Sequence, residues 1–235
     1  MEEKDTWVED IAGIFGLDVE TVQLLESYLL KIIEVNKKIN LTRIETLESG
    51  RVLHLEDSLA GFQELKEAPA GLYADLGTGG GFPGVPLALV SGRDTLLVDS
   101  VKKKVTALEE VVRELGVQDR ITCYGGRIEE LALEKKGRFA VLTARALSSL
   151  SSLMELASPL LEQKGRLICY KANIEDSELE HAVALKETLA MRLVSDRSFM
   201  LSDGVTTRRI VVFEKVGYPT LKLPRRTGMA QKKPL

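Results

Sequence analysis

The 235-residue sequence predicts an α/β fold: a Rossmann-like, mostly parallel sheet preceded by a helical extension. Three observations carry this expectation. From Leu72 onward, short apolar strands alternate with helical stretches. A glycine-rich run, Gly77 to Gly84, separates the first of these strands from the helix that follows it. Two β-rich segments close the chain, divided only by a short turn. Alternating β and α units imply parallel strands with helices on both faces, because each connection must cross back over the sheet.

The elements follow in order. Residues 5–66 read as helical. In DVETVQLLESYLLKIIEV, Val22, Leu25, Leu29 and Ile32 recur at helical spacing, and Asp18 suits an N-cap. A second helix is predicted through SGRVLHLEDSLAGFQEL, starting near Ser49. The stretch EAPAG, with Pro69 and Gly71, breaks that pattern. Residues 1–68 are therefore assigned to an N-terminal helical extension, and 69–235 to the Rossmann-like domain with a basic tail. Within the domain LYADL is the first strand and PGVPLALVSG its helix. DTLLVDS is the second strand, and its helix VKKKVTALEEVVRELG closes on Gly116. RITCY precedes the short helix RIEELAL. RFAVLTA precedes a helix predicted to run through LSSLSSLMELASPLLEQKG. GRLICYK is the fifth strand, and a polar helix spans roughly 175–190. MRLVSDRSFML and TTRRIVVFEKV, separated by SDG, are expected to be antiparallel neighbours.

Composition narrows the function classes. Hydrophobic residues at 44% and charged residues at 29% describe a globular chain rather than a disordered one. No apolar run approaches the ~20 residues that span a bilayer. The opening MEEKDTWVED has no apolar stretch, so no secretory signal is expected and the expected compartment is the cytoplasm. Cys123 and Cys169 lie in strands and make no ligand spacing with the two histidines; they read as reduced core thiols, with no metal site. The net charge of −3 carries no global nucleic-acid signal. Its distribution is more telling, since the last fourteen residues hold five bases and no acid. Such a tail suits RNA if its bases share a face with others, and suits a plain solvated end equally well.

The sharpest local signal is Asp75-Leu76-Gly77-Thr78-Gly79-Gly80-Gly81-Phe82-Pro83-Gly84, between strand and helix. In open α/β sheets ligands bind at the carboxyl ends of the strands, where this loop sits. The dinucleotide fingerprint, counted from Gly77 and Gly79, needs a third glycine where this chain has Phe82. An acid two residues before G-x-G-x-G fits the S-adenosylmethionine loop instead, through Asp75, Gly77, Gly79 and Gly81. That cofactor brings an ammonium and a sulfonium rather than a pyrophosphate, so a nearby carboxylate is useful. Asp99, ending the second strand in LLVDS, can accept both ribose hydroxyls of an adenosine. The closing pair of strands fits a seven-stranded methyltransferase sheet better than a six-stranded dinucleotide-binding one.

With these segments in view the chain resembles the 16S ribosomal RNA (guanine-N7) methyltransferases, also called glucose-inhibited division protein B. The resemblance rests on NLT (40–42), HLEDSL (54–59), DLGTGGGFPG (75–84), LLVDSVKKK (96–104), GRIEEL (126–131), TARAL (143–147), YK (170–171) and the tail PRRTGMAQKKPL. It implies cofactor-site positions at Gly77, Phe82, Ile128, Glu129 and Arg145, beside Asp75, Gly79, Gly81 and Asp99. It implies Arg145 and Asn40 at the reaction centre. It implies RNA contacts at His54, Lys104, Arg127, Lys171, Arg208, Arg209 and Arg225. The implied partner is 16S rRNA, within the small ribosomal subunit or its precursor. Ala172 stands where the family often has glycine. Plainer readings stand beside several of these. His54 and Asp57 share a helical face and suit an interdomain contact. Asn40 suits a helix end. Lys102-Lys103-Lys104 suits a solvated face.

The implied chemistry needs little. N7 of guanine carries an in-plane lone pair and no proton, so it attacks a sulfonium methyl without a general base. Proximity and in-line orientation supply ~7–11 kcal/mol in such reactions. The base must be splayed out of its RNA surroundings to reach the pocket. A small-molecule methyltransferase and a non-catalytic RNA-binding protein on the same fold are the alternatives.

Overall fold

The computed structural model describes residues 5–235. Its centre is one seven-stranded sheet. The strands are β1 (Tyr73–Leu76), β2 (Thr95–Asp99), β3 (Ile121–Gly125), β4 (Phe139–Arg145), β5 (Leu161–Lys171), β6 (Met191–Met200) and β7 (Thr207–Lys215). Their spatial order is β3-β2-β1-β4-β5-β7-β6. β1 to β5 are mutually parallel. β7 runs antiparallel to both β5 and β6, as the sequence led us to expect for the closing pair. β1 is buried at every position, as befits a central strand covered on both faces. β6, at the edge, alternates buried or half-buried with exposed residues. The chain leaves β1 toward β2 on one side and returns at β4 on the other. That reversal is the topological switch point, and the loops after β1 and β4 open onto it.

The helices that build the layers are α1 (Trp7–Phe15), α2 (Val19–Asn36), α3 (Leu47–Gly50), α4 (Asp57–Leu59), α5 (Phe62–Glu67), α6 (Gly84–Ser91), α7 (Lys102–Glu114), α8 (Ile128–Glu134), α9 (Leu150–Ala157), α10 (Asp176–Ala184), α11 (Lys186–Leu189) and α12 (Met229–Lys232). Asp18 caps α2 by accepting the Thr21 N–H at 2.7 Å. The apolar stripe of α2, with Val22, Leu25, Leu29 and Ile32, packs into one cluster with Phe82, Val85, Leu97, Leu108 and Val111. The N-terminal helices therefore share a core with α6, α7 and the sheet. Residues 1–4 of the predicted extension lie outside the described residues. No helix among the described residues is long and apolar enough to cross a membrane.

Two expected helices differ. The helix expected from Ser49 is interrupted by a π-helical turn, Arg51–Glu56, between α3 and α4. A π turn adds one residue to the helix, and no residue type within RVLHLE marks where it falls, so the sequence gives no sign of it. It carries His54 inward, to 6% exposure, beside Asp57 at 1%. The helix expected to run to about Gly165 stops at Ala157. Ser158 still has helical dihedrals, but Pro159 has no N–H for the ladder and its ring clashes with the preceding turn, so the helix goes no further. The chain extends instead, and Leu161 already pairs with Phe139 at the start of β5.

Candidate active site

The loop after β1 is held open from below. Asp75 is 1% exposed. It accepts hydrogen bonds from Thr78 Oγ1 at 2.6 Å, Thr143 Oγ1 at 2.7 Å and the Gly84 N–H at 3.1 Å. Burial pushes its carboxyl up to about 6, against those bonds. Asp75 thus ties β1, β4 and the start of α6 together, its carboxylate buried on these three bonds where a cofactor-facing group was expected. Gly81 is buried under Tyr28, whose hydroxyl donates to Gly80 O at 2.6 Å, so it too serves packing rather than a ligand. Gly79 differs. Its φ of 57° suits glycine, and a Cβ there would enter open space, with its nearest neighbours two backbone oxygens at 3.9 and 4.0 Å. The Gly79 N–H donates to Asp99 Oδ2 at 3.0 Å, and Val101 N–H to Asp99 Oδ1 at 2.8 Å. Two backbone bonds fix that carboxylate at the end of β2, and each oxygen keeps a lone pair.

Gly77, Asp99, Arg127, Ile128, Glu129 and Leu147 line a pocket of about 200 Å³ over the ends of β1, β2 and β3. An open backbone at Gly79, a fixed acceptor at Asp99 and the apolar Ile128 suit a nucleoside with an amino-acid tail. Glu129, at 9% exposure, accepts the Gly228 N–H at 2.6 Å. Leu147 sits against Gly77; a Cβ on Gly77 would lie 2.7 Å from its Cδ1.

A larger cleft of about 610 Å³ opens over β4, β5 and β7, floored by His54, Asp57 and Arg145. Ala146 and Ser148 line it while Leu147 lines the smaller pocket, so one three-residue segment separates the two. Arg145 Nη1 donates to Asp57 Oδ2 at 2.8 Å, and Nη2 lies 3.1 Å from His54 Nδ1. A guanidinium only donates, so Nδ1 accepts, and the imidazole proton lies on Nε2, 2.7 Å from Thr42 Oγ1. Burial, then Arg145, push His54 down to about 3, which keeps it neutral. Its ring stacks on Phe82 with centroids 4.2 Å apart and planes 2° from parallel. Arg208 Nε lies 3.2 Å from Asp57 Oδ1 but off the hydrogen-bonding line, so that oxygen has ionic company and no hydrogen bond. Lys171 bonds Ser148 O at 3.2 Å and Glu178 at 2.9 Å. Arg43 is exposed at the rim.

The structure brings together many of the residues singled out from the sequence, and reassigns others. His54, expected on RNA, is a buried neutral spacer between Phe82, Thr42 and Arg145. Arg209 is held bidentately by Asp196 at 2.7 and 2.6 Å, on the opposite side of β7 from Arg208, and lines neither cavity. Arg225 is locked to Glu155, which is 2% exposed, at 2.7 and 2.5 Å. Both were expected on RNA; each guanidinium is already spent on a carboxylate. Asn40 is exposed and lines neither cavity, so it is not at the floor where a catalytic residue would stand. Asn36 does the local work there: its side chain accepts from the Leu41 and Thr42 N–H groups and donates to Thr42 O, folding the NLT segment over the glycine loop. Lys104 is half-buried in the first turn of α7 and lines neither cavity. Arg127 lines the smaller pocket rather than the cleft.

Sequence reasoning passed over Arg43 and Gln231, and named Asp57 only as a partner of His54 in an interdomain contact. Asp57 stood in the HLEDSL motif, three residues after His54, and Arg43 directly follows NLT. Gln231 gave no signal, since its tail was read as a run of bases. Cys123 and Cys169 are free, and burial pushes both thiols up to about 12.

Three comparisons bear on this arrangement. The family model GidB, described as rRNA small subunit methyltransferase G, matches residues 21–210. A protein named ribosomal RNA small subunit methyltransferase G from Carboxydothermus hydrogenoformans is 36% identical over 228 residues, covering 94% of this chain and 95% of its own. One of the same name from Streptococcus equi subsp. zooepidemicus is 33% identical over 226 residues, covering 94% of each. Among solved structures, geranyl diphosphate methyltransferase in complex with GPP and sinefungin superposes with a TM-score of 0.55 at 15% identity, over 68% of this chain and 78% of that one. At that identity the likeness concerns the fold alone.

Proposed function

The chain belongs to the rRNA small subunit methyltransferase G family, and from that premise we propose that it transfers a methyl group from S-adenosylmethionine to N7 of a guanine in 16S rRNA. The substrate on this reading is the small ribosomal subunit or its precursor. The observation that carries the reading is the pair of adjoining cavities at the switch point, divided by Ala146–Ser148. The smaller suits the cofactor: Asp99 for the ribose, Ile128 and Glu129 for the adenine end, Gly77 and Gly79 for the methionine end. The larger, rimmed by Arg43, Lys171 and Arg208, suits a nucleotide carrying phosphate.

When bound, the cofactor supplies an electrophilic methyl group on a sulfonium. The chain's part is to position and to exclude water. Arg145 is pinned by Asp57, His54 and Phe82, so it presents a fixed edge to the cleft beside the dividing segment. The groups that floor the cleft are committed to one another. Both nitrogens of His54 are engaged, and its pKa is about 3. Asp57 faces two guanidiniums. The Tyr170 hydroxyl donates to Ser58 O at 2.8 Å, and burial raises its pKa further. An acceptor that must first lose a proton, such as a ribose hydroxyl, finds no help here. A ring nitrogen with a free lone pair needs none.

The test is methyl transfer from labelled S-adenosylmethionine to small ribosomal subunits lacking this modification, with the modified position mapped. Label at a guanine N7 is expected. Label on a ribose or an exocyclic amine would overturn the assignment.

A further inference from the structure

The C-terminal tail is part of the smaller pocket. Arg225 is anchored on Glu155 of α9, and its Nη2 also donates to Lys233 O at 2.9 Å. The Gly228 N–H holds Glu129 at the start of α8. Ser152 Oγ donates to Ala230 O at 2.6 Å, and Ala230 is 2% exposed. These bonds pin the chain on both sides of the pocket mouth. One residue of the short α12 then faces the opening: Gln231 lines the pocket together with Gly126, Ile128 and Leu156. The side chain is exposed and makes no hydrogen bond within the protein among the described residues.

We propose that Gln231 is an adenine-reading residue, its carboxamide closing the pocket over the base edge of the cofactor. This rests on the cofactor reading above. The pocket lies beyond Asp99 on the β3 side, beside Ile128 and Glu129, where the base end of an adenosine falls once its ribose is on Asp99. A carboxamide offers one acceptor and one donor side by side. The 6-amino group of adenine donates and a neighbouring ring nitrogen accepts, the pairing by which glutamine reads adenine in other settings. At about 200 Å³ the pocket is smaller than the ~300 Å³ at which ligand sites usually begin, so a wall has to give to admit the whole cofactor. The tail wall is held by a few hydrogen bonds and one ion pair, whereas the other walls are strand ends, the start of α8 and α9, all packed into the body of the domain. The tail therefore opens for entry and re-forms over the base.

The experiment compares S-adenosylhomocysteine with its analogue bearing unsubstituted purine, which lacks the 6-amino donor. Both are titrated by calorimetry into wild type and Gln231→Ala. Gln231 is exposed, so the variant keeps its fold; a ligand-free melt checks this. Wild type should prefer the adenine form, and Gln231→Ala should weaken S-adenosylhomocysteine binding roughly ten-fold while narrowing the preference by a similar factor. S-adenosylhomocysteine should also slow tryptic cleavage after Lys232 in wild type. An unchanged preference in Gln231→Ala overturns the proposal, whatever happens to absolute affinity, since a plain wall would weaken both ligands alike. Failure of wild type to bind either ligand strikes instead at the cofactor reading.

Discussion

Replacing Arg145 with alanine tests the floor of the cleft, and the structure sets the size of the effect. The side chain is 17% exposed and its partner Asp57 only 2%, with 2.8 Å between the charged atoms. Removing one member of a buried pair strands the other and typically costs ~3–5 kcal/mol. Arg208 still stands 3.2 Å from the second Asp57 oxygen and offsets part of that. The expected loss is therefore about 2–3 kcal/mol, or roughly 1 M in the urea midpoint at a slope near 2 kcal/mol/M. Arg145→Ala combined with Asp57→Asn removes the stranded charge and should recover at least half of the loss. Single-turnover methyl transfer at saturating small subunits is then measured for both variants. The reading places Arg145 at the reaction centre, so transfer should stay depressed in the double variant although stability returns. If transfer recovers along with stability, Arg145 serves only as ballast for Asp57.

Gly79→Val should leave a folded protein that no longer binds S-adenosylhomocysteine by calorimetry. The β-branched side chain opposes the φ of 57° and occupies the open volume now bounded only by backbone oxygens. His54 makes stability depend on acid. Its folded pKa of about 3 lies below the 6.5 of the free side chain, so the unfolded chain binds more protons between those values and stability falls as pH drops through that window. His54→Gln should flatten that slope in chemical denaturation from pH 6.5 to 4; an equal slope in both proteins would mean that the imidazole is not buried neutral. RNA affinity should fall steeply with salt while S-adenosylhomocysteine affinity barely moves, and Arg43→Ala should reduce the salt slope by about one unit. Arg209→Ala, removing a cation already paired with Asp196, should change that slope little in filter binding.

The parts of this fold legible in the sequence are those whose cause is local. Strand–helix alternation, the glycine loop and the carboxylate ending β2 are each set by residues within a few positions of one another. The parts that escaped depend on distant partners. Arg209 is neutralised by a residue 13 positions away and Arg225 by one 70 positions away, so neither could be told from a free cation. His54 was expected on RNA because nothing in the residues around it marks the π turn that carries it inward. The end of α9 is a different kind of miss: Pro159 stated it plainly, and the run of leucines on either side outweighed it.

The charge layout bears on why such a site serves a cationic product. Methyl transfer from a sulfonium to a neutral ring nitrogen creates no charge; it moves one across a short distance. A floor rich in free cations would resist that arrival. Here Arg145, the guanidinium at the floor, is paired with Asp57, and the imidazole between it and the glycine loop is held neutral. The exposed Arg43 stands at the rim, where phosphates are met. Lys171, also lining the cleft, is balanced by Glu178. Attraction for the polyanion and tolerance of the product are thus separated in space. A basic residue introduced at the floor would be expected to slow transfer without weakening RNA binding, whereas one lost from the rim would do the reverse.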